Sequence, residues 1–203
     1  MRRVLLAVLA AALFPAASAA QGSAPQTQEV RPQAEGQFGF RLKGLDGKTY
    51  DTSELRGEVL VVSFGATWCV PCTWELVAVE ELKEEYKGKP VRFFWVSIED
   101  QKSTSDNLLR HYAKERRLTV PVLRDPDAAA FSQFSKTTRV PLVVFFDREG
   151  RFIAPAHRGM SQDVTLYKQM VRRRVDALLG AAPAGAGGPK GAAAAGGGAG
   201  ADN

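Results

Sequence analysis

Residues 64–72 read Phe64-Gly65-Ala66-Thr67-Trp68-Cys69-Val70-Pro71-Cys72 and contain both cysteines of the 203-residue chain. A disulfide between Cys69 and Cys72 would close a very short loop. The chain-entropy model assigns such a loop only about 2 kcal/mol of stabilisation, compared with about 3 kcal/mol for a loop of 15 residues. Because this bond would stabilise the fold so little, we interpret it as one that is made and broken. The pair therefore predicts thiol–disulfide exchange.

The segments on both sides place the pair at the start of a helix. The apolar, largely β-branched run at 59–64 predicts a buried strand that ends just before the motif. In residues 72–86, apolar side chains recur at helical spacing and glutamates cover the opposite side, which predicts an amphipathic helix. Free N–H groups and the helix dipole at this end favour a thiolate and lower its pKa. We therefore expect Cys69 to attack and the more buried Cys72 to resolve the mixed disulfide.

Predicted strands and helices alternate through the rest of the chain. In the helix predicted at 104–117, Leu108, Leu109 and Tyr112 are expected to face inward. The alternation predicts an α/β fold in one domain, residues 38–179, with a central mixed sheet and helices on both faces. The other predicted elements are strands at 91–98, 120–123 and 142–146, helices at 127–134 and after an N-cap at Ser161, and a hairpin at 147–154.

The two ends of the chain differ in composition from the domain. Residues 1–20 combine two arginines, an apolar run and small residues up to Ala20, which predicts a cleaved signal peptide and an extracytoplasmic, for example periplasmic, location. An uncleaved membrane anchor is the alternative. Residues 21–37 are rich in Gln, Pro and Ala and are expected to form a flexible leader. Residues 180–203 are almost all Gly and Ala and are predicted to form a disordered tail.

The charge pattern argues against one class of partner. The whole chain carries a formal net charge of +5 at pH 7, and its basic residues are spread along the sequence. A nucleic-acid-binding surface would show a basic stripe or patch, commonly interleaved with aromatic residues, and the chain has no such stripe. We therefore expect no nucleic-acid partner.

The motif run resembles the active-site segment of the TlpA/ResA-like branch of the thioredoxin superfamily. The resemblance extends to residues 44–48, 55–57 and 121–127, and Arg139-Val140-Pro141 occupies the place of that family's cis-proline loop. It implies a thioredoxin fold with a helical insertion between the central strands and an N-terminal extension. It also implies an exported protein-disulfide reductase that needs no small-molecule cofactor.

Two expectations concern the contact with a protein substrate. The resemblance places the backbone of Val140 beside the disulfide, across a cis bond to Pro141, where it can pair with a substrate chain as a short strand. Trp68 precedes the first cysteine, and we expect it to flank and shield the two sulfurs. Trp68, Val140 and Pro141 are therefore the predicted substrate-binding residues.

Glu75 is the candidate general base. It lies three residues after Cys72 and four before Val79, on the inward side of the predicted helix. The family often has an acid at this place, thought to manage protons at the buried cysteine. A partly buried carboxylate would have a raised pKa and could accept a proton. Ser63 stands where thioredoxin itself has a buried acid, so we expect that second proton route to be absent.

The resemblance also implies partners. The protein would take electrons from a membrane thiol transducer and reduce disulfides in extracytoplasmic proteins of the cytochrome c or copper-site maturation type. The sequence leaves the redox direction open, because the same residues would serve an oxidase.

Two other functions are open to the paired thiols. Two thiolates can hold Cu(I), with His111, His157 and the methionines as the remaining ligand candidates, but related copper chaperones place three residues between their cysteines. Zinc would need more ligands than the chain supplies well, and we predict no metal site. A peroxidase of this superfamily would have its threonine three residues before the cysteine, whereas Thr67 lies two before Cys69. We therefore expect negligible peroxide turnover.

Overall fold

The computed structural model describes residues 38–161 and 163–180. Its helices are α1 (Val70–Glu85), α2 (Asp106–Glu115) and α3 (Val164–Gly180). Its strands are β1 (Arg41–Gly44), β2 (Thr49–Asp51), β3 (Val59–Gly65), β4 (Val91–Ser97), β5 (Val122–Arg124), β6 (Leu142–Phe146) and β7 (His157–Arg158).

The described strands form one mixed sheet in the order β2-β1-β5-β4-β3-β6-β7. The central strands β3, β4 and β5 are parallel, and β6 runs antiparallel to β3. The hairpin β1–β2 forms one edge, and β7 forms the other edge by pairing antiparallel with β6. This arrangement confirms the predicted α/β class, with α2 and β5 inserted between β4 and β6.

The core has two layers, one on each face of the sheet. All three α-helices bury their apolar sides in one layer, where Leu76, Leu109 and Val171 meet the side chains of β3, β4 and β6. On the opposite face, the sheet is covered by aromatic side chains around a short 3-10 turn at Phe131–Gln133. In the described residues, the expectation of helices on both faces is therefore wrong apart from that turn, because successive parallel strands place α1 and α2 on the same side. Because the strands are buried on both faces, they contain nearly continuous apolar runs, as the sequence indicated.

The short helix predicted at 127–134 is wrong except for that 3-10 turn. Ala128 has a positive φ of 52°, a conformation that a regular helix does not contain. The carboxylate of Asp125 accepts hydrogen bonds from the backbone N–H groups of Ala130 (3.1 Å) and Phe131 (2.8 Å). These bonds hold the segment as an irregular loop.

Three smaller expectations were also corrected. Leu108 is exposed and not inward, because the buried stripe of α2 runs through Leu109 and Tyr112. The N-terminus of α3 is capped by Asp163, whose carboxylate accepts from the N–H of Thr165 at 2.8 Å, and not by Ser161. The predicted hairpin contributes one isolated bridge, between Phe146 and Phe152, and the edge strand is β7.

The predicted signal peptide, leader and tail beyond Gly180 lie outside the described residues. Within the part of the chain that is described, no helix is both long and apolar enough to cross a bilayer.

Candidate active site

The disulfide lies at the N-terminus of α1. Cys69 and Cys72 are bonded, with their Cα atoms 5.2 Å apart. Cys69 is the N-cap residue, and its sulfur accepts a hydrogen bond from the backbone N–H of Cys72 at 3.2 Å. Pro71 lies in the first turn of the helix, where backbone N–H groups have no acceptor within the helix, so the missing N–H of proline costs no hydrogen bond. The same backbone donor and the helix dipole would stabilise a thiolate on Cys69 after reduction.

The two sulfurs differ in burial in the expected sense. Cys72 is fully buried, and Cys69 retains 4% exposure. Both pack in a small cluster with Ala66 and the partly buried Val140. A molecule approaching from solvent therefore meets Cys69 first.

Glu75 lies one turn after Cys72 and is fully buried. Its carboxylate accepts hydrogen bonds from the hydroxyl of Ser63 at 2.5 Å and from the hydroxyl of Tyr167 at 2.8 Å. Burial raises the pKa of Glu75 to about 7, although both of these hydrogen bonds lower it. The carboxyl group can therefore take up or release a proton near neutral pH. In the sequence, Ser63 is notable only because thioredoxin has a buried acid at that place. In the structure, its hydroxyl is one of the two groups that donate hydrogen bonds to this carboxylate.

Tyr167 on α3 joins this buried group, and sequence reasoning identified it only as a core residue. Burial, together with the neighbouring Glu75 carboxylate, raises the pKa of its hydroxyl well above the usual value. Tyr167 therefore stays protonated and remains a hydrogen-bond donor to Glu75. Its spacing in α3 indicates an inward position, but nothing in the sequence indicates that this position lies over Glu75.

The backbone of Gly65 lies between Cys72 and a buried indole. A Cβ at position 65 would be 2.5 Å from Nε1 of Trp95 and 3.4 Å from Cβ of Cys72. Trp95 is fully buried, and its ring stacks on Tyr112 with centroids 5.5 Å apart. Only glycine therefore fits at the end of β3, directly beneath the second cysteine.

Glu99 is a second buried carboxylate near the motif, and sequence reasoning missed it. It accepts hydrogen bonds from the backbone N–H of Thr67 at 2.9 Å and from the Thr67 hydroxyl at 2.7 Å. Further hydroxyl donors to it are Ser97 and Thr104, each at 3.1 Å. These bonds tie the loop before Cys69 to the end of β4. The three hydroxyl residues are ordinary in sequence, so only the fold brings them together.

Of the three predicted substrate-binding residues, Trp68 and Val140 line one groove, and Pro141, which follows Val140 in the chain, is buried. The Val140–Pro141 peptide is cis, as the resemblance implied. Val140 packs against the cluster formed by Ala66 and the two cysteines, and its backbone N–H and C=O have no hydrogen-bond partner among the described residues. Trp68 is 64% exposed and lines the same groove as Val140.

A groove of about 400 Å³ opens at this place. Trp68 and Val140 contribute to its walls. Its other lining residues are Thr138, Arg139, Arg158 and Gly159. Two other cavities, of about 530 and 420 Å³, lie along the N-terminal hairpin and are lined by neither cysteine.

An apolar stripe continues from Trp68 along the exposed side of α1. Val70, Trp74 and Val77 follow one another at helical spacing, and each is at least 43% exposed. Large apolar side chains that are exposed together in this way are typical of a protein-contact surface. The stripe begins beside Cys69.

The described residues give the two histidines no shared site with the sulfurs. His111 is exposed on α2, where Nδ1 lies 3.4 Å from a carboxylate oxygen of Glu115. His157 lies in β7, and burial, with a smaller contribution from Arg174, lowers its pKa. In residues 38–161 and 163–180, no three His, Cys, Asp or Glu side chains converge as metal ligands would.

Comparison with known proteins agrees with this geometry. The redoxin family model matches residues 15–169. The chain is 35% identical to the thioredoxin-like protein YneN of Bacillus subtilis over 88 residues. This aligned segment covers 42% of this chain and 49% of YneN. It is 25% identical to the thiol-disulfide oxidoreductase ResA of Bacillus cereus over 114 residues, and this aligned segment covers 56% of this chain and 63% of ResA. The chain therefore spans 49% to 63% of the length of these two curated relatives.

Among solved structures, the fold is similar to that of the pneumococcal exposed lipoprotein thioredoxin (Etrx1) from Streptococcus pneumoniae. The TM-score is 0.58 at 26% identity, over 69% of this chain and 99% of that chain. Together with the relatives in sequence, this match confirms the predicted thioredoxin fold and the resemblance to ResA-like proteins.

Proposed function

The chain belongs to the redoxin family, and we propose that it is a thiol–disulfide oxidoreductase that works through the Cys69–Cys72 disulfide. The observation that carries this proposal is the buried Glu75, whose pKa is about 7, one turn behind the fully buried Cys72. A structural disulfide needs no titratable group behind it. A cysteine that must lose its proton in a dry environment does, because desolvation disfavours the thiolate.

The proposed reaction begins with the reduced protein. The thiolate of Cys69 attacks one sulfur of the disulfide in a client, which is the protein whose disulfide is exchanged. The S–S bond of the client breaks, its first sulfur leaves as a thiolate and is protonated by solvent, and its second sulfur becomes bonded to Cys69. The hydrogen bond from the N–H of Cys72 stabilises the attacking thiolate before the new bond forms.

Resolution needs a second thiolate. Glu75 accepts the proton of the Cys72 thiol, and the Cys72 thiolate attacks the sulfur of Cys69. The bond to the client breaks, and the second client thiolate leaves and is protonated. The client has then gained two electrons from the two cysteines and two protons from solvent, Glu75 releases to solvent the proton that it took from Cys72, and Cys69–Cys72 is oxidised.

We further propose that the protein works as a reductase outside the cytoplasm. The predicted signal peptide at 1–20 supports export, and the ResA relatives support an assignment among thiol-disulfide oxidoreductases. A membrane thiol transducer would return two electrons by the same exchange in reverse. The proposed clients are extracytoplasmic proteins of the cytochrome c or copper-site maturation type. The Val140 backbone, Pro141 and Trp68 would hold them beside Cys69.

The test is the reduction potential of the purified protein, measured in glutathione and dithiothreitol buffers with Cys69→Ser as the control. A value near that of thioredoxin, about −270 mV, is the expected result for a reductase. A value near about −120 mV would make the protein an oxidant and would overturn the proposed direction. If no reversible two-electron transition occurred, the oxidoreductase assignment itself would be wrong.

A further inference from the structure

We propose that the groove beside the disulfide selects clients that carry acidic side chains next to the reacting cysteine, and that Arg139 and Arg158 are the residues that select them. This inference rests on the proposed function and names the substrate class of that same site. It concerns the groove lined by Trp68, Arg139, Val140 and Arg158.

The first step is the position of the groove. Val140, one of its lining residues, packs against the cluster that contains Cys69 and Cys72. Trp68, another, is the neighbour of Cys69 in the chain. A polypeptide whose sulfur reaches Cys69 must therefore place its adjacent residues in or over this groove.

The second step is the charge of the groove. Arg139 and Arg158 are both exposed, and the six lining residues include no acid. Neither guanidinium has an acidic partner among the described residues, and the one contact of Arg158 is a long bond of 3.5 Å to the carbonyl oxygen of Phe134. Two unpaired positive charges thus lie together beside the sulfurs.

Two arginines elsewhere on the described surface are neutralised by glutamates. Arg92 forms a two-pronged pair with Glu58 at 2.6 and 2.7 Å, and Arg172 forms one with Glu85 at 2.7 and 2.8 Å. The groove therefore differs from these places in leaving the same type of side chain available. An exposed guanidinium offers paired donors that match a carboxylate.

The third step is how a client chain would lie. The free N–H and C=O of Val140 can pair with an extended client backbone, which fixes its register at the disulfide. Residues on either side of the client cysteine would then face Trp68 or the arginines. An apolar or backbone contact is available at Trp68, and a carboxylate is the group that the two arginines complement.

The test uses three disulfide-linked peptide dimers that differ only in the residues flanking the cysteine, which are Glu, Gln or Lys. The reduced full-length protein is mixed with each dimer in a single turnover at low and high salt. Each rate is divided by the rate of the same dimer with dithiothreitol. This division removes intrinsic reactivity, which would favour the Lys peptide because a nearby cation makes the thiol a better leaving group.

We expect the normalised rate for the Glu peptide to exceed that for the Gln peptide by roughly fivefold, since exposed ion pairs contribute about two- to fivefold each. The Lys peptide should be slowest, and high salt should reduce the spread. In the variant Arg139→Gln/Arg158→Gln, the preference should disappear, so that the normalised rates for the Glu and Gln peptides become equal. Arg173→Gln is the matched control, because Arg173 is exposed on α3 and does not line the groove.

Equal normalised rates for the Glu and Gln peptides would overturn the inference and leave the proposed function intact. A preference that survives in the double variant would also overturn it, because another feature would then be the selector. A wild-type protein that reduces none of the three peptides would instead contradict the proposed function, and this inference with it.

Discussion

The two sides of the Cys69–Cys72 disulfide are built differently. On the inner side, which comprises Ser63, Glu75 and Tyr167, the three side chains are buried, and both hydroxyl groups donate hydrogen bonds to the Glu75 carboxylate. On the outer side, which comprises Trp68, Arg139, Val140 and Arg158, Trp68 is 64% exposed and neither arginine has an acidic partner in the described part of the chain.

This difference separates two tasks that the proposed reaction needs. A buried carboxyl group whose pKa is about 7 can manage a proton whatever the client is. An exposed surface with free backbone groups and unpaired charges can distinguish one client from another. Changes on the inner side should therefore alter rate and pH dependence for every substrate, and changes on the outer side should alter the choice of substrate.

The largest expected effect comes from the cysteines at the boundary of the two sides. Cys69→Ser should lower client reduction at least about 10³-fold, because the attacking thiolate is gone. Cys72→Ser should also stop turnover, but it should trap Cys69 in a mixed disulfide with the client, since nothing resolves it. Mass spectrometry of the two variants after mixing with a disulfide peptide checks this. If Cys69→Ser formed the adduct on Cys72 and Cys72→Ser formed none on Cys69, the assigned roles would be reversed.

On the inner side, Glu75→Gln should change how stability depends on pH. The pKa of Glu75 is about 7 in the folded protein and about 4.3 when unfolded. The folded state thus holds a proton that the unfolded state has lost, so the free energy of unfolding falls as pH rises from about 4.3 to 7. The loss is about 4 kcal/mol in total, at 1.36 kcal/mol for each pH unit. The amide that replaces the carboxyl group has no proton to lose. Between about pH 4 and pH 8, the free energy of unfolding of the variant should therefore rise by this amount relative to that of the wild type.

Urea unfolding of the oxidised proteins across this range measures the gap, with Glu84→Gln as the control because Glu84 is exposed on the same helix. A gap that does not change with pH would contradict the raised pKa.

The same variant should prolong the mixed disulfide at pH 7 at least about tenfold, since the proton acceptor for Cys72 is lost. This delay should be equal for all clients if the inner-side residues do not contact the client.

At the boundary with the sheet, Gly65→Ala should destabilise the protein by roughly 2 kcal/mol, because overpacking a filled core costs about 1–3 kcal/mol. The added Cβ would lie 2.5 Å from Nε1 of Trp95, and the stacked, buried indole has little room to withdraw. Urea unfolding of Gly65→Ala alone and in a Trp95→Phe background measures the coupling. The penalty should shrink in the second background. An unchanged free energy of unfolding in Gly65→Ala would mean that the inner side is less tightly packed than described.

The same division explains what the sequence could and could not predict. Glu75 shares a helix with Cys72, so spacing and family resemblance were enough to place it on the inner side. Helical periodicity likewise predicted α1, and the apolar runs predicted β3 and β6. Arg139 and Arg158 meet only because β7 pairs with β6, and β7 is a two-residue strand without a sequence signal. The irregular loop after Asp125 depends on side-chain bonds to the backbone, which periodicity does not report.

The smallest effect on stability is expected at Trp68, three residues along the chain from Gly65. Because Trp68 is 64% exposed, Trp68→Ala should change the free energy of unfolding by no more than about 0.5 kcal/mol. It removes one wall of the groove, so KM for a protein or peptide disulfide should rise severalfold. Reduction of a small disulfide such as that of glutathione should be little affected, because Cys69 and Glu75 are untouched.

Leu166→Ala is the matched control for Trp68→Ala, since Leu166 is equally an exposed apolar residue, on α3, and does not line this groove. Steady-state kinetics with one peptide disulfide and one small disulfide separates the outcomes. A parallel loss of rate with both substrates would place Trp68 with the proton-handling groups and would remove the functional boundary between the two sides. A loss confined to the peptide disulfide would locate that boundary within the single segment that joins Gly65 to Cys69.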